Sequence, residues 1–177
     1  KVATLLVIEA IRFHNIKTIG IKYSGNNGFH IAIPFKAFPN KVNNLDTKTL
    51  FPDGLRVIAS YIKEVIKDHL ASKLIIYSIE TLAKNTSQKK EDLLKNSIFD
   101  PFSVVDIDAV LISSRHLFRA PYSINEKSGL VSIPLREEDL VNFNKESARP
   151  DNVRAQLTFL SNIDVEPGEA KQLIIQA

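Results

Sequence analysis

Residues 17–35 read KTIGIKYSGNNGFHIAIPF. Ile19, Ile21 and Tyr23 alternate with the polar residues Thr18 and Lys22, the two-residue period of a strand with one face toward a core. Ser24 to Gly28 interrupts the alternation with residue types that tolerate positive φ, so the chain turns there. Phe29, Ile31 and Ile33 then alternate with His30 and Ala32, and Pro34 closes the second strand. The stretch predicts a β-hairpin whose turn carries Ser and Gly and whose second strand carries a histidine.

Upstream, apolar residues from Val2 to Phe13 form the broad face of a buried helix ending near Asn15. Downstream, residues 36–53 hold prolines and asparagines and read as loop, with Asp53 as a helix N-cap. Leu55, Ile58, Ala59, Ile62, Val65 and Ile66 have helical spacing over 54–70, and a second helix is expected over 71–84. Residues 85–92 are polar and connective, leading into a short helix at 91–96. The Val- and Ile-rich run 101–112 is a strand candidate, followed by a polar segment at 113–129 and another strand at 130–135. Helices are expected at 136–143 and 167–176. Strands separated by helices, with a hairpin among them, place the fold in the α+β class. Residues 1–143 read as the core and 144–177 as a helical tail of the same domain.

The 177 residues are 44% apolar and 24% charged, with a net charge of +3 and no Cys. That suffices for a core without disulfides and excludes Cys-based metal sites. The balance permits nucleic-acid binding without demanding it. No apolar run approaches the roughly 20 residues of a membrane span. A reducing, cytoplasmic setting with no membrane partner is the expectation. The chain has no Met and begins at Lys1 inside a predicted helix, so it reads as a fragment. Neither a P-loop, nor HExxH, nor GxSxG is present.

Three segments carry groups suited to phosphate chemistry. In the Ser24–His30 hairpin, a Gly-bracketed turn would let an anion approach backbone N–H groups, with Ser24 and His30 adding side-chain donors. A surface turn with an incidental histidine has the same residues. Asp106 and Asp108 are two residues apart on the strand candidate, so both carboxylates share a face and could hold Mg²⁺ or Mn²⁺. Such a pair also suits a solvated strand face. Residues 115–129 concentrate Arg115, Arg119 and Lys127 with Ser123 and Asn125, where arginine can bind phosphate bidentately; a basic surface loop is the plainer alternative. His14 and His69 lie on predicted helices, without partners at ligand spacing, and suit surface or cap roles.

Taken together, these segments resemble a known family. The run DAVLISSRHLFRAPYSINEKSGL at 108–130 is similar to the third-motif region of archaeo-eukaryotic primase small subunits, in which a metal-binding Asp precedes an Arg-, Pro-, Ser- and Lys-bearing run ending in Gly. Ser24-Gly25-x-x-Gly28-x-His30 resembles the family's second motif, and the order fits. The resemblance spans about Ile16 to Leu135. The polymerase domain of bacterial end-joining ligases shares the turn, but the 115–129 run is closer to the primase branch.

The resemblance implies an RNA-recognition-motif-like core with a mixed or antiparallel sheet flanked by helices. It implies a nucleotidyl transferase that copies a single-stranded DNA template from a primer. Nucleoside triphosphates would be its substrates, Mg²⁺ or Mn²⁺ its cofactor and a primase large subunit a possible partner. Asp108, or Asp106, would be the metal ligand. Ser24, Gly25, Asn27 and His30 would receive the nucleotide, and Arg115, Arg119, Ser123, Asn125 and Lys127 would shape the same pocket. The chain departs from the pattern in three places. No Asp-x-Asp pair lies upstream of Ser24, where Glu9 is the single acidic residue. Asn26 and Asn27 stand where the family often has basic residues. Asn125 stands where it usually has His. A complete gene with an upstream acidic pair implies an enzyme. A chain without one implies an inactive, primase-like module that keeps nucleotide or nucleic-acid binding.

Overall fold

The computed structural model describes residues 1–108, 119–161 and 164–177. The chain opens with helix α1 (Val2–Phe13). Strands β1 (Gly20–Tyr23) and β2 (Phe29–Ala32) form the hairpin expected from the alternation. They pair antiparallel with Lys22 opposite His30 and Tyr23 opposite Phe29. Two two-residue strands, β3 (Lys41–Val42) and β4 (Leu45–Asp46), make a small hairpin inside the expected loop. Helix α2 (Asp53–Leu74) follows, then α3 (Ile79–Thr86), a second small hairpin of β5 (Leu94–Lys95) and β6 (Ile98–Phe99), and strand β7 (Pro134–Leu135). Helix α4 (Lys171–Gln176) ends the chain. The class is α+β. The main sheet has the order β2-β1-β7 and is antiparallel throughout.

One face of this sheet is covered by α1. Ile8 meets Ile21 and Leu140, with Phe29, Ile31 and Leu135 packed around them. The opposite side of α1 presents Leu6, Ala10 and Ile11 to α2, whose Ile58, Ile62, Ile66, Leu70 and Leu74 form a buried stripe at four-residue spacing. Each such side chain stabilises the fold by about 1.5–3 kcal/mol when fully buried. Leu173 and Ala170 at α4 belong to the same core, so the C-terminal residues pack onto the body. His14, expected at the surface or at a cap, is the C-cap residue of α1 but fully buried. Its Nδ1–H donates to Ala10 O at 2.6 Å, which leaves Nε2 to accept from the Tyr61 hydroxyl at 3.0 Å.

Several boundaries differ from the sequence expectation. Asp53 is the first residue of α2 rather than its cap; its carboxylate pairs with Arg56 at 2.9 Å. The helix runs through to Leu74 instead of dividing at residue 70, because the apolar stripe continues unbroken. Residues 91–96 are a 3₁₀ turn and a strand, not a helix. Within the 101–112 strand candidate, Pro101–Ser103 is a 3₁₀ turn closed by the Asp100 side chain, which accepts from Phe102 N at 3.0 Å. Residues 105–108 belong to neither helix nor sheet, and 109–112 lie outside the described residues. The expected 136–143 helix is a short 3₁₀ turn at Glu137–Asp139. The expected 130–135 strand is paired in the main sheet only at Pro134–Leu135, and helix α4 is shorter than the expected 167–176.

Candidate functional site

The face of the main sheet turned away from α1 carries the site. Antiparallel register puts Lys22 and His30 on one side, facing away from α1, and Ile21, Tyr23, Phe29 and Ile31 on the other. The turn joining the strands is closed by Ser24: its backbone N–H donates to Gly28 O at 2.9 Å, and its Oγ accepts from Asn26 N and Gly28 N, both at 3.2 Å. Three of the turn's amides, those of Ser24, Asn26 and Gly28, are therefore satisfied within the turn, contrary to the picture of a bare amide nest. The Ser24 hydroxyl keeps its own proton for donation outward. The Tyr23 hydroxyl donates to Asn26 O and ties the turn to the strand.

A second hairpin-like turn docks against the first. Asn125 N donates to Leu130 O at 2.7 Å and Gly129 N to Asn125 O at 2.8 Å, with a bridge between Ile124 and Val131. Asn125 is buried, and its Oδ1 accepts from Lys127 N at 3.0 Å and Ser128 N at 3.4 Å. Its carbonyl end shapes the turn. The Ser128 hydroxyl donates to Gly25 O across the gap between the turns. Gly25 sits at φ +84°, and a Cβ there would lie 3.1 Å from both Asn125 Cβ and Leu130 O. Glycine is thus required twice over, for conformation and for close approach. Lys145 reaches the rim, its Nζ donating to Asn27 Oδ1 at 3.3 Å.

The site is electropositive. Arg119 donates to Ile124 O at 3.1 Å and to Glu126 Oε2 at 2.7 Å, which aligns its guanidinium beside the second turn. The Glu126 carboxyl is held below the usual range by its own backbone N–H and then by Arg119. Burial, and then the charges of Lys22 and Arg119, lower His30 to about 4. Burial and then Arg119 lower Lys22 to about 8. At neutral pH the imidazole is neutral and the lysine is largely charged. Ser123 donates its hydroxyl to Ala120 O at 2.7 Å within its own turn, and Lys127 is exposed.

Asp106 and Asp108 are exposed, while Ile107 between them packs against the main core. The shared strand face expected for the pair does not form, because residues 105–108 belong to neither helix nor sheet. Arg115 lies outside the described residues. Among the described residues no group of three or more His, Asp or Glu side chains is placed to hold a metal ion. No helix among them is long and apolar enough to cross a membrane.

Two site groups escaped the sequence reading. Lys22 looked like an ordinary polar-face residue, and Ser132 like part of a strand, yet both are fully buried. The available signal was a lysine two residues before Ser24, inside an otherwise apolar strand.

The family comparison bears directly on these two docked turns. The family model described as DNA primase small subunit matches residues 1–137, which include the whole first hairpin and the second turn. The chain belongs to the DNA primase small subunit family. It is 29% identical to the DNA primase small subunit PriS of Pyrobaculum islandicum over 134 residues, 71% of this chain and 38% of that protein. The figures are the same for its counterpart from Pyrobaculum calidifontis. The counterpart from Pyrobaculum aerophilum is 29% identical over 147 residues, 78% of this chain and 42% of that protein. The chain thus spans about two fifths of the length of the curated relatives it matches. No solved structure matches it.

Proposed function

We propose that this chain forms part of the nucleotide-binding and catalytic core of a primase, a template-directed nucleotidyl transferase. The observation that carries the reading is the docking of the Ser24–Gly28 turn onto the Asn125–Leu130 turn. Two segments about a hundred residues apart share one face, with Arg119 close enough to Lys22 and His30 for its charge to lower both. An array of cations and hydroxyls without a dedicated acid or base suits polyphosphate binding, where catalysis is positioning and charge neutralisation.

In this reading Ser24 donates its hydroxyl proton to a phosphate oxygen, and Gly25 lets the backbone come close. Asn27 and His30 line the approach. Arg119 and Lys127 meet the triphosphate charge, Ser123 and Asn125 shape the wall, and Arg115 joins them. The pair Asp106 and Asp108 suits Mg²⁺ or Mn²⁺, because a small hard cation binds through one or two carboxylates plus substrate phosphates, and both side chains are exposed. A bound divalent ion supplies neutralisation of charge on the attacking and leaving oxygens. The sheet with α1 on one face, and α2 behind α1, is consistent with an RNA-recognition-motif-like core. Residues 1–143 would be that core, and 144–177 a tail of the same domain. A DNA template, a primer and a large subunit are the partners this reading requires.

The test is calorimetric binding of ATP to the chain with and without Mn²⁺, paired with primer synthesis by the full-length protein carrying Asp108→Ala. Metal-dependent binding, with synthesis lost in the variant, supports the reading. No binding under either condition refutes the pocket. Full activity in the variant refutes the metal ligand. Binding without synthesis by the unmodified full-length protein would favour the inactive, primase-like module.

A further inference from the structure

Among the described residues, Lys22 is the single Lys, Arg, Asp or Glu with a buried side chain. It lies in the central strand of the main sheet, between Ile21 and Tyr23, where an apolar residue would fit without losing hydration. A sealed ammonium weakens a fold unless it is well paired and hydrogen-bonded. Its placement is nonetheless specific. The Nζ donates to Ser132 Oγ at 3.1 Å, and Ser132 passes its own proton to Tyr23 O at 2.8 Å, so the serine lone pair is aimed at the lysine. The ring of Phe159 lies 5.5 Å from Nζ and covers it. Lys22 is the cross-strand partner of His30, stands two residues before the Ser24 turn, and is close enough to Arg119 for each charge to feel the other.

We propose that Lys22 is the buried positive floor of the polyphosphate pocket, a fixed charge that favours anions of high charge through its field rather than by exposed contact. The inference rests on the proposed reading of that pocket. A charge enclosed by protein is screened less than one in water, so its field reaches the ligand side of the sheet at greater strength. Because the effect scales with ligand charge, it favours triphosphate over shorter phosphates. Ser132 is the positioning residue that fixes where this charge sits.

The test uses the 177-residue chain with inorganic tripolyphosphate, pyrophosphate and orthophosphate as calorimetric probes. It compares the unmodified protein with Lys22→Met, which removes charge and donor, and Lys22→Gln, which removes charge and keeps a donor. Both variants are expected to keep or raise the thermal midpoint. Both should lose about tenfold or more in tripolyphosphate affinity, with a smaller loss for orthophosphate. Unchanged tripolyphosphate affinity in either folded variant overturns the proposal, as does an equal loss for all three probes. If Lys22→Met does not fold, Lys22→Gln carries the measurement. If the unmodified chain binds no tripolyphosphate, the pocket reading falls and Lys22 with it. If it binds and the neutral variants bind equally, Lys22 alone fails.

Discussion

Replacing Gly25 by Ala separates the two glycines of the first turn by physics rather than by motif. Gly25 has φ +84°, and its new methyl would meet Asn125 Cβ and Leu130 O at 3.1 Å and Ser132 N at 3.3 Å. The left-handed conformation costs an alanine about 1–2 kcal/mol. Overpacking adds about 1–3 kcal/mol, here against neighbours that are largely backbone and cannot swing aside. Reduced freedom of the unfolded chain returns about 0.4–1 kcal/mol. The net loss is about 1–4.5 kcal/mol. Gly28→Ala is the control. Gly28 is not in the left-handed region, and nothing lies within 4 Å of a Cβ there, so its stability should stay within about 0.5 kcal/mol. The same methyl occupies the open space before the turn, so Gly28→Ala should weaken tripolyphosphate binding while leaving the fold intact. Urea unfolding followed by circular dichroism measures the first quantity, and calorimetry the second. Equal stabilities for the two variants would refute the close-approach argument for Gly25.

Two further outcomes follow from the site. His30 has a folded pKa of about 4, below the 6.5 of an ordinary histidine. Between those values the unfolded chain binds the extra proton, so this group makes stability rise with pH from about 4 to 6.5 and adds no slope above. The stability difference between the unmodified protein and His30→Gln, measured by urea unfolding from pH 4 to 7, should change across that window; a constant difference would contradict a half-buried neutral imidazole. Asn125→Ala removes a buried side chain that accepts from two backbone N–H groups of its turn. It should cost about 1–3 kcal/mol in the same assay, whereas Asn125→Asp, which keeps the acceptor, should weaken tripolyphosphate binding more than stability; an Asn125→Ala loss below about 0.5 kcal/mol would show that the side chain does not hold the turn.

The hairpin and the helix stripe were legible because their signals are local. Alternation from Ile19 to Ile33 and the Gly-bracketed turn are contained within the stretch that folds. The Ile58–Leu74 stripe repeats through α2. What was not legible depends on distant partners. Lys22 reads as a surface lysine until Ser132 and Phe159, more than a hundred residues away, close over it. The small hairpins β3–β4 and β5–β6 have two-residue strands, too short for any period to appear. The run from Leu130 to Leu135 carries strand chemistry, but much of its bonding lies outside the main sheet. Val131 N donates to Ala148 O at 2.8 Å and Ser132 N to Ser123 O at 2.9 Å. Pro134, with no N–H to give, marks where the paired part begins.

These partners explain why the departures from the family pattern need not be independent losses. Asn125 anchors the second turn through its own backbone neighbours, and that turn presents Ser128 to Gly25. Asn27, in the first turn, accepts from Lys145 rather than standing alone. The geometry of the first turn thus depends on the second. A substitution at Asn125 acts on the Gly25 approach as well as on its own position, and single-site effects on anion binding will not add between the two turns. Residues on the first turn should therefore couple to residues on the second more strongly than either couples to the exposed Asp106. The two docked turns form one structural element, built from segments that the sequence keeps far apart.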